Sequence, residues 1–155
     1  MSTMPSAATP NDLDRDVRYA VYTRLATSGR SPDRRDLVEI AGDLSTVDAS
    51  LRRLHDAHAI VLGNDGEVAM ALPFAGRPTI HRVDADDGRQ WWANCAWDAL
   101  AIPLLVGTDA EITAPWLDDE TTTRFRVSAG EIAPALGFVH FARPAAIWWD
   151  DIVET

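Results

Sequence analysis

The sequence predicts an α+β fold: a helical N-terminal module closed by a β-hairpin, then an antiparallel or mixed sheet with few helices. Three observations carry this. Apolar residues recur at helical spacing in three successive segments. The turn GNDG (63–66) separates two β-rich runs. Beyond Gly76 the composition changes, and short strand-like runs dominate.

Residues 1–13, rich in Pro, Ser, Ala and Thr, read as a disordered leader. They lack the basic region and apolar core of a secretory signal. From Asp14, Val17, Val21 and Leu25 fall at i, i+4 and i+8 beside Tyr22, giving one apolar helix face. SGRSP interrupts it with Gly29 and Pro32. A second helix fits DRRDLVEIAG, with Leu37, Ile40 and Ala41 inward and Gly42 as the stop. A third fits STVDASLRRLHDAH, with Ser45 as N-cap, Asp48 three residues on, and Val47, Leu51 and Leu54 as its buried stripe. Val68, Met70, Leu72 and Phe74 then alternate along the second strand of the hairpin. Three helices and a hairpin make residues 14–76 a winged-helix-like module. Arg52 and Arg53 on its third helix are candidate phosphate contacts, but Asp43, Asp48 and Asp56 dilute any basic face.

Residues 77–155 form the second predicted unit. PTIHRVDADDGRQ reads as a strand and an acidic turn, and WWANCAWDALAIP (91–103) opens a helix limited by Pro103 and Gly107. AEITAPW and TTRFRVS are strands; in the latter Phe125 and Val127 face one way, Arg124 and Arg126 the other. SAGEIAPAL reads as a short helical turn capped by Ser128, GFVHFA as a strand, and PAAIWWDDIVET as a terminal helix or turn.

Composition narrows the function. The net charge of −10 repels nucleic acid and anionic lipid. No apolar run approaches the roughly 18 residues of a membrane span, and a cytoplasmic location is the default expectation. All 14 basic residues are arginine, which excludes Schiff-base chemistry and a P-loop lysine. One cysteine excludes an intrachain disulfide and a multi-cysteine zinc site. His55 and His58 read as a solvated pair, His140 as a strand histidine, and the acids of WLDDE (116–120) as facing water.

The candidate chemistry lies in Asn94-Cys95-Ala96-Trp97-Asp98. With Asn94 as helix cap, Cys95 occupies the first turn, where unpaired N–H groups favour a thiolate. Asp98 at i+3 shares its face, and a carboxylate beside a thiolate pushes one of the two to hold a proton. A soft nucleophile and an acid then reach one substrate, with Trp91, Trp92 and Trp97 as a dry wall. The competing reading is a buried, inert cysteine and a dipole-complementing aspartate.

GRQWWANCAWDALAIPLLVG resembles the active-site segment of the organomercurial (alkylmercury) lyases, in which a cysteine precedes a catalytic aspartate by three positions. The NDGEV hairpin before it, and VSAGEIAP and FVHFA after it, follow the family's order, so the resemblance spans roughly residues 30–155. It implies an alkylmercury-lyase-like domain that protonates a carbon–mercury bond. Cys95 would be the thiolate bound to mercury and Asp98 the proton carrier. Trp149 joins the three earlier tryptophans as a pocket residue; Asp150 and Asp151 after it could line the same pocket but read first as solvated acids at a helix end. The family's second cysteine and its C-terminal strand and helix are missing, so an external small thiol is expected as second ligand to the Hg(II) product. No resident cofactor is expected. Two alternatives stay open: a divergent relative that cleaves another bond or binds a soft metal or thiol-reactive ligand, and a winged-helix DNA-binding sensor of metals or electrophiles.

Overall fold

In the computed structural model, which describes residues 9–116, 118, 121–135, 137–141, 143–150 and 152, the first element is helix α1 (Asp12–Ser28). Its start is a capping box: the Asn11 side chain accepts the Asp14 N–H, and the Asp14 carboxylate accepts the Asn11 N–H. Val17, Val21 and Leu25 are fully buried, as their spacing predicts. Helix α2 (Val38–Ala41) is a single turn. Leu37 is buried beside it, but Ile40 faces solvent, contrary to expectation, because one turn is too short to carry an inward stripe. Helix α3 (Leu44–Asp56) is capped by Asp43 and not by Ser45. The Asp43 carboxylate accepts the Thr46 N–H, and the Ser45 hydroxyl donates to that same carboxylate. Val47, Leu51 and Leu54 are its buried stripe.

An internal ion pair locks α1 to α3. The Arg53 guanidinium donates to both oxygens of the fully buried Asp14 at 2.7 and 2.9 Å, and the Ser50 hydroxyl adds a third donor at 2.6 Å. Arg53, only partly buried, is therefore committed to Asp14 and is not the free phosphate contact its position suggested.

Among the described residues eight strands follow: β1 (Val61–Leu62), β2 (Val68–Ala71), β3 (Phe74–Ala75), β4 (His81–Ala85), β5 (Gln90–Ala93), β6 (Ala110–Pro115), β7 (Thr122–Ser128) and β8 (Glu131–Ala133). They form one sheet in the order β1-β2-β3-β5-β4-β6-β7-β8, every neighbouring pair antiparallel. The expected strand through Phe74 is interrupted: Leu72 and Pro73 turn the chain, so Met70 pairs back onto Ala75. Helix α4 (Ala96–Val106) links β5 to β6 and packs on β4, β5 and β6. The cross-strand row Trp91–Val83–Ile112–Phe125 lies on the sheet face whose buried members join α1, α3 and α4's Ala99 and Ile102 in one core.

Three further expectations are corrected. Pro103 lies inside α4, and Gly107 ends the helix in a left-handed conformation, φ 67°. Residues 128–133 form a tight hairpin and not a helical turn. Ala129 and Gly130 both have positive φ, as a two-residue turn between right-twisted strands requires. The Ser128 hydroxyl donates to Asp109, so it caps nothing. Residues 138–141 carry no strand pairing, and a 3-10 helix (Ala145–Asp150) follows them.

Candidate active site

The candidate site forms where β5 hands over to α4. Across the sheet end, Phe74, Ala93 and His81 lie side by side on β3, β5 and β4. The chain leaves Ala93, turns through Asn94, and enters α4 with Cys95 as the N-cap. This moves the cap one residue from its expected place on Asn94. Cys95 has extended backbone angles, φ −146° and ψ 176°, and its Sγ accepts the Asp98 N–H at 3.5 Å. The i+3 spacing thus acts through a backbone donor as well as through a shared helix face.

The electrostatics differ from the simple expectation for a helix N-terminus. Burial pushes the Cys95 thiol above its ordinary 9.0, and the nearby Asp98 carboxylate adds to the rise, while the Asp98 and Trp97 N–H groups oppose it. Burial also raises Asp98 above its ordinary 3.8, against the lowering contacts of Asn94 and Cys95. The resting thiol is therefore protonated at neutral pH, and the helix end moderates this without reversing it. Cys95 and Asp98 form a coupled pair in which adding negative charge to one disfavours it on the other.

Asn94 is a third member that its reading as a cap overlooked. Its Nδ2 lies 3.4 Å from Asp98 Oδ2 and 3.5 Å from the Pro73 carbonyl in the β2–β3 turn. Its Oδ1 is buried and has no partner among the described residues. Adjacency to Cys95 was the one available signal, because the partner Pro73 is far away in sequence.

The four tryptophans separate. Trp91 is fully buried, its indole N–H donating to the Leu25 carbonyl at 2.9 Å and its ring packed under the Arg89 guanidinium. It belongs to the core and is no pocket wall. Strand alternation sends Trp92 to the opposite face, where it lines a separate cavity of about 680 Å³ with Gly29, Arg30, Gly76 and Arg89. Trp97 stays with the site at 58% exposure, edge-on to Phe141 at 6.4 Å; Phe141 in turn meets Trp148 at 5.1 Å. Trp149 stacks flat on His58 at 4.1 Å beyond the end of α3. His58 adjoins Ala59, whose carbonyl accepts the Tyr22 hydroxyl, and that hydroxyl also bonds Leu72 O beside Pro73.

No cluster of three or more His, Cys, Asp or Glu side chains placed to hold a metal occurs among the described residues. His55 Nδ1 takes backbone partners at Ile60 and Leu62. His140 lies in the unpaired 138–141 segment and not in a strand. The Asp150 side chain, Asp151 and most of WLDDE lie outside the described residues. No helix among the described residues is long and apolar enough to cross a membrane.

Comparison with known proteins adds three findings. Residues 74–155, more than half of the chain, match the family model described as alkylmercury lyase (MerB). No curated protein matches. Among solved structures, the mercury-bound form of MerB2 superposes with a TM-score of 0.63 at 21% identity, covering 82% of this chain and 61% of that one. The chain thus spans under two thirds of that relative's length, and the likeness is one of fold.

Proposed function

The chain belongs to the alkylmercury lyase family, and from that membership and the Cys95–Asp98 geometry we propose that it protonates carbon–mercury bonds in organomercurial substrates. The observation that carries the reading is the N-cap: the chain's one thiol and an acid raised by burial are held three residues apart on a single backbone hydrogen bond.

The steps follow from that arrangement. Asp98, when ionised, accepts the Cys95 S–H proton; the thiolate displaces the anion X⁻ from R–Hg–X and binds mercury through a soft–soft bond. A small external thiol supplies the second sulfur ligand and gives its proton to X⁻. Two thiolates increase electron density on mercury and on the attached carbon. Protonated Asp98 then delivers its proton to that carbon, releasing R–H and leaving Hg(II) between two sulfurs. In sum, R–Hg–X and two thiols yield R–H, HX and a mercury dithiolate. The external thiol is required by this reading because the sequence contains a single cysteine.

The single cysteine also favours a second reading, in which the pocket binds a soft metal or another thiol-reactive ligand without cleavage. Anaerobic incubation with phenylmercury and excess small thiol, following benzene release, separates the two. The parent is expected to release benzene, and Cys95→Ala and Asp98→Ala to lose it by about a hundredfold or more. Stoichiometric mercury on Cys95 with no benzene from the parent would reject cleavage and establish the second reading. A parent-like rate in Asp98→Ala would remove Asp98 as the proton carrier.

A further inference from the structure

Asp98 meets its polar neighbours through both its backbone and its side chain. Its N–H is directed at Cys95 Sγ, and its carboxyl meets Cys95 and the amide of Asn94. The Asn94 Nδ2 bridges two acceptors at once, Asp98 Oδ2 at 3.4 Å and the Pro73 carbonyl at 3.5 Å. The opposite amide orientation would set Oδ1 against both, acceptor facing acceptor, so chemistry dictates which way the group points. That orientation leaves Oδ1 buried and without a partner among the described residues, an arrangement that costs stability and that folded proteins seldom keep without a use for the other half of the group. The Pro73 end is rigid, since Phe74 beside it pairs with Ala93 across β3 and β5.

We propose that Asn94 is the positioning residue that ties the Asp98 carboxyl to the β2–β3 turn and holds it beside Cys95. The inference rests on the lyase reading in taking Asp98 as the proton carrier, and it adds how that carrier is aimed. Without the amide donor, the carboxylate keeps its contact with Cys95 but loses its tie to the β2–β3 turn, a contact that its charged form accepts more strongly.

Asn94→Leu keeps the bulk and removes the donor. The Asp98 carboxyl is titrated by carbon-13 NMR, its resonance assigned by its absence in Asp98→Asn. In Asn94→Leu the midpoint is expected to rise by about 0.5–1 pH unit, the value of one net hydrogen bond to the ionised form. Asn94→Ala is read in the same way if the leucine variant fails to fold. An unchanged midpoint in either folded variant overturns the proposal, since a purely structural asparagine would alter stability and leave the Asp98 titration where it was. The titration needs no turnover. A parent that releases no benzene therefore defeats the lyase reading alone, whereas benzene release with an unmoved midpoint defeats this inference alone.

Discussion

The Asp14–Arg53 pair gives the sharpest test of how the helical module is held to itself. Asp14 is fully buried, and it is held at about 2 instead of its ordinary 3.8, chiefly by the Arg53 guanidinium; burial opposes this, and Ser50 and the Asn11 N–H assist Arg53. A depressed carboxylate contributes stability that is complete above the unfolded value and is lost as pH falls through the folded one. At about 1.4 kcal/mol per pH unit, ionised Asp14 contributes about 2–2.5 kcal/mol at neutral pH, lost between roughly pH 4 and 2. Arg53→Ala is the harsher perturbation, because it strands a buried carboxylate with only Ser50 and a backbone N–H. Breaking one side of such a pair costs about 3–5 kcal/mol, a large share of the roughly 5–15 kcal/mol that stabilises a domain. Urea unfolding at pH 7, followed by circular dichroism, measures that loss. Repeating it on the parent and on Asp14→Asn from pH 6 to 2 isolates the acid-dependent part, which the asparagine variant should lack. A change below about 0.5 kcal/mol in Arg53→Ala would show that the pair is solvated in solution and that the argument from burial fails.

Two other outcomes follow from the geometry. Gly29 has φ +68°, and a Cβ there would come within 1.8 Å of the Gln90 carbonyl. Gly29→Ala must therefore separate α1 from β5, and a clear fall in melting temperature is expected; an unchanged Tm would mean that the contact between helix and strand is looser than described. For Cys95, burial and the Asp98 charge together push the thiol up. Asp98→Asn should then lower the thiolate midpoint measured by ultraviolet absorbance, and alkylation at pH 7 should quicken. No change would show that the two groups do not sense each other.

Much of this architecture was legible in the residues. The stripes of α1 and α3 were readable because one helix face must be apolar wherever a helix lies on a core, and Val17, Val21, Leu25, Val47, Leu51 and Leu54 are all buried. The GNDG turn and the alternation in β7 were equally plain. Short segments misled. Ser128-Ala129-Gly130 has the composition of a helix start, yet Asp109, distant in sequence, claims the serine hydroxyl and the Ala129 N–H, and the chain turns back as a hairpin. Ser45 yielded its cap to Asp43 because a carboxylate is the stronger acceptor for the first-turn N–H groups.

The candidate site divides along the same line. Cys95 and Asp98 could be picked out from their types and spacing, since a thiol and an acid three apart at a helix start must share a face. Which tryptophans accompany them could not. Adjacent strand residues point to opposite faces, so Trp91 and Trp92 had to part, but the choice between core and surface waited on the register that sets Val83 opposite Trp91 and Arg82 opposite Trp92. Asn94 looked like a cap until the fold brought Pro73 alongside it. Periodicity, turn chemistry and the candidate Cys95–Asp98 pair are local properties carried by neighbouring residues. The direction of the thiol's shift, the partners of Asn94 and the companions of Cys95 depend on burial and on contacts between residues far apart in the chain, and those exist only once the sheet has closed against its helices.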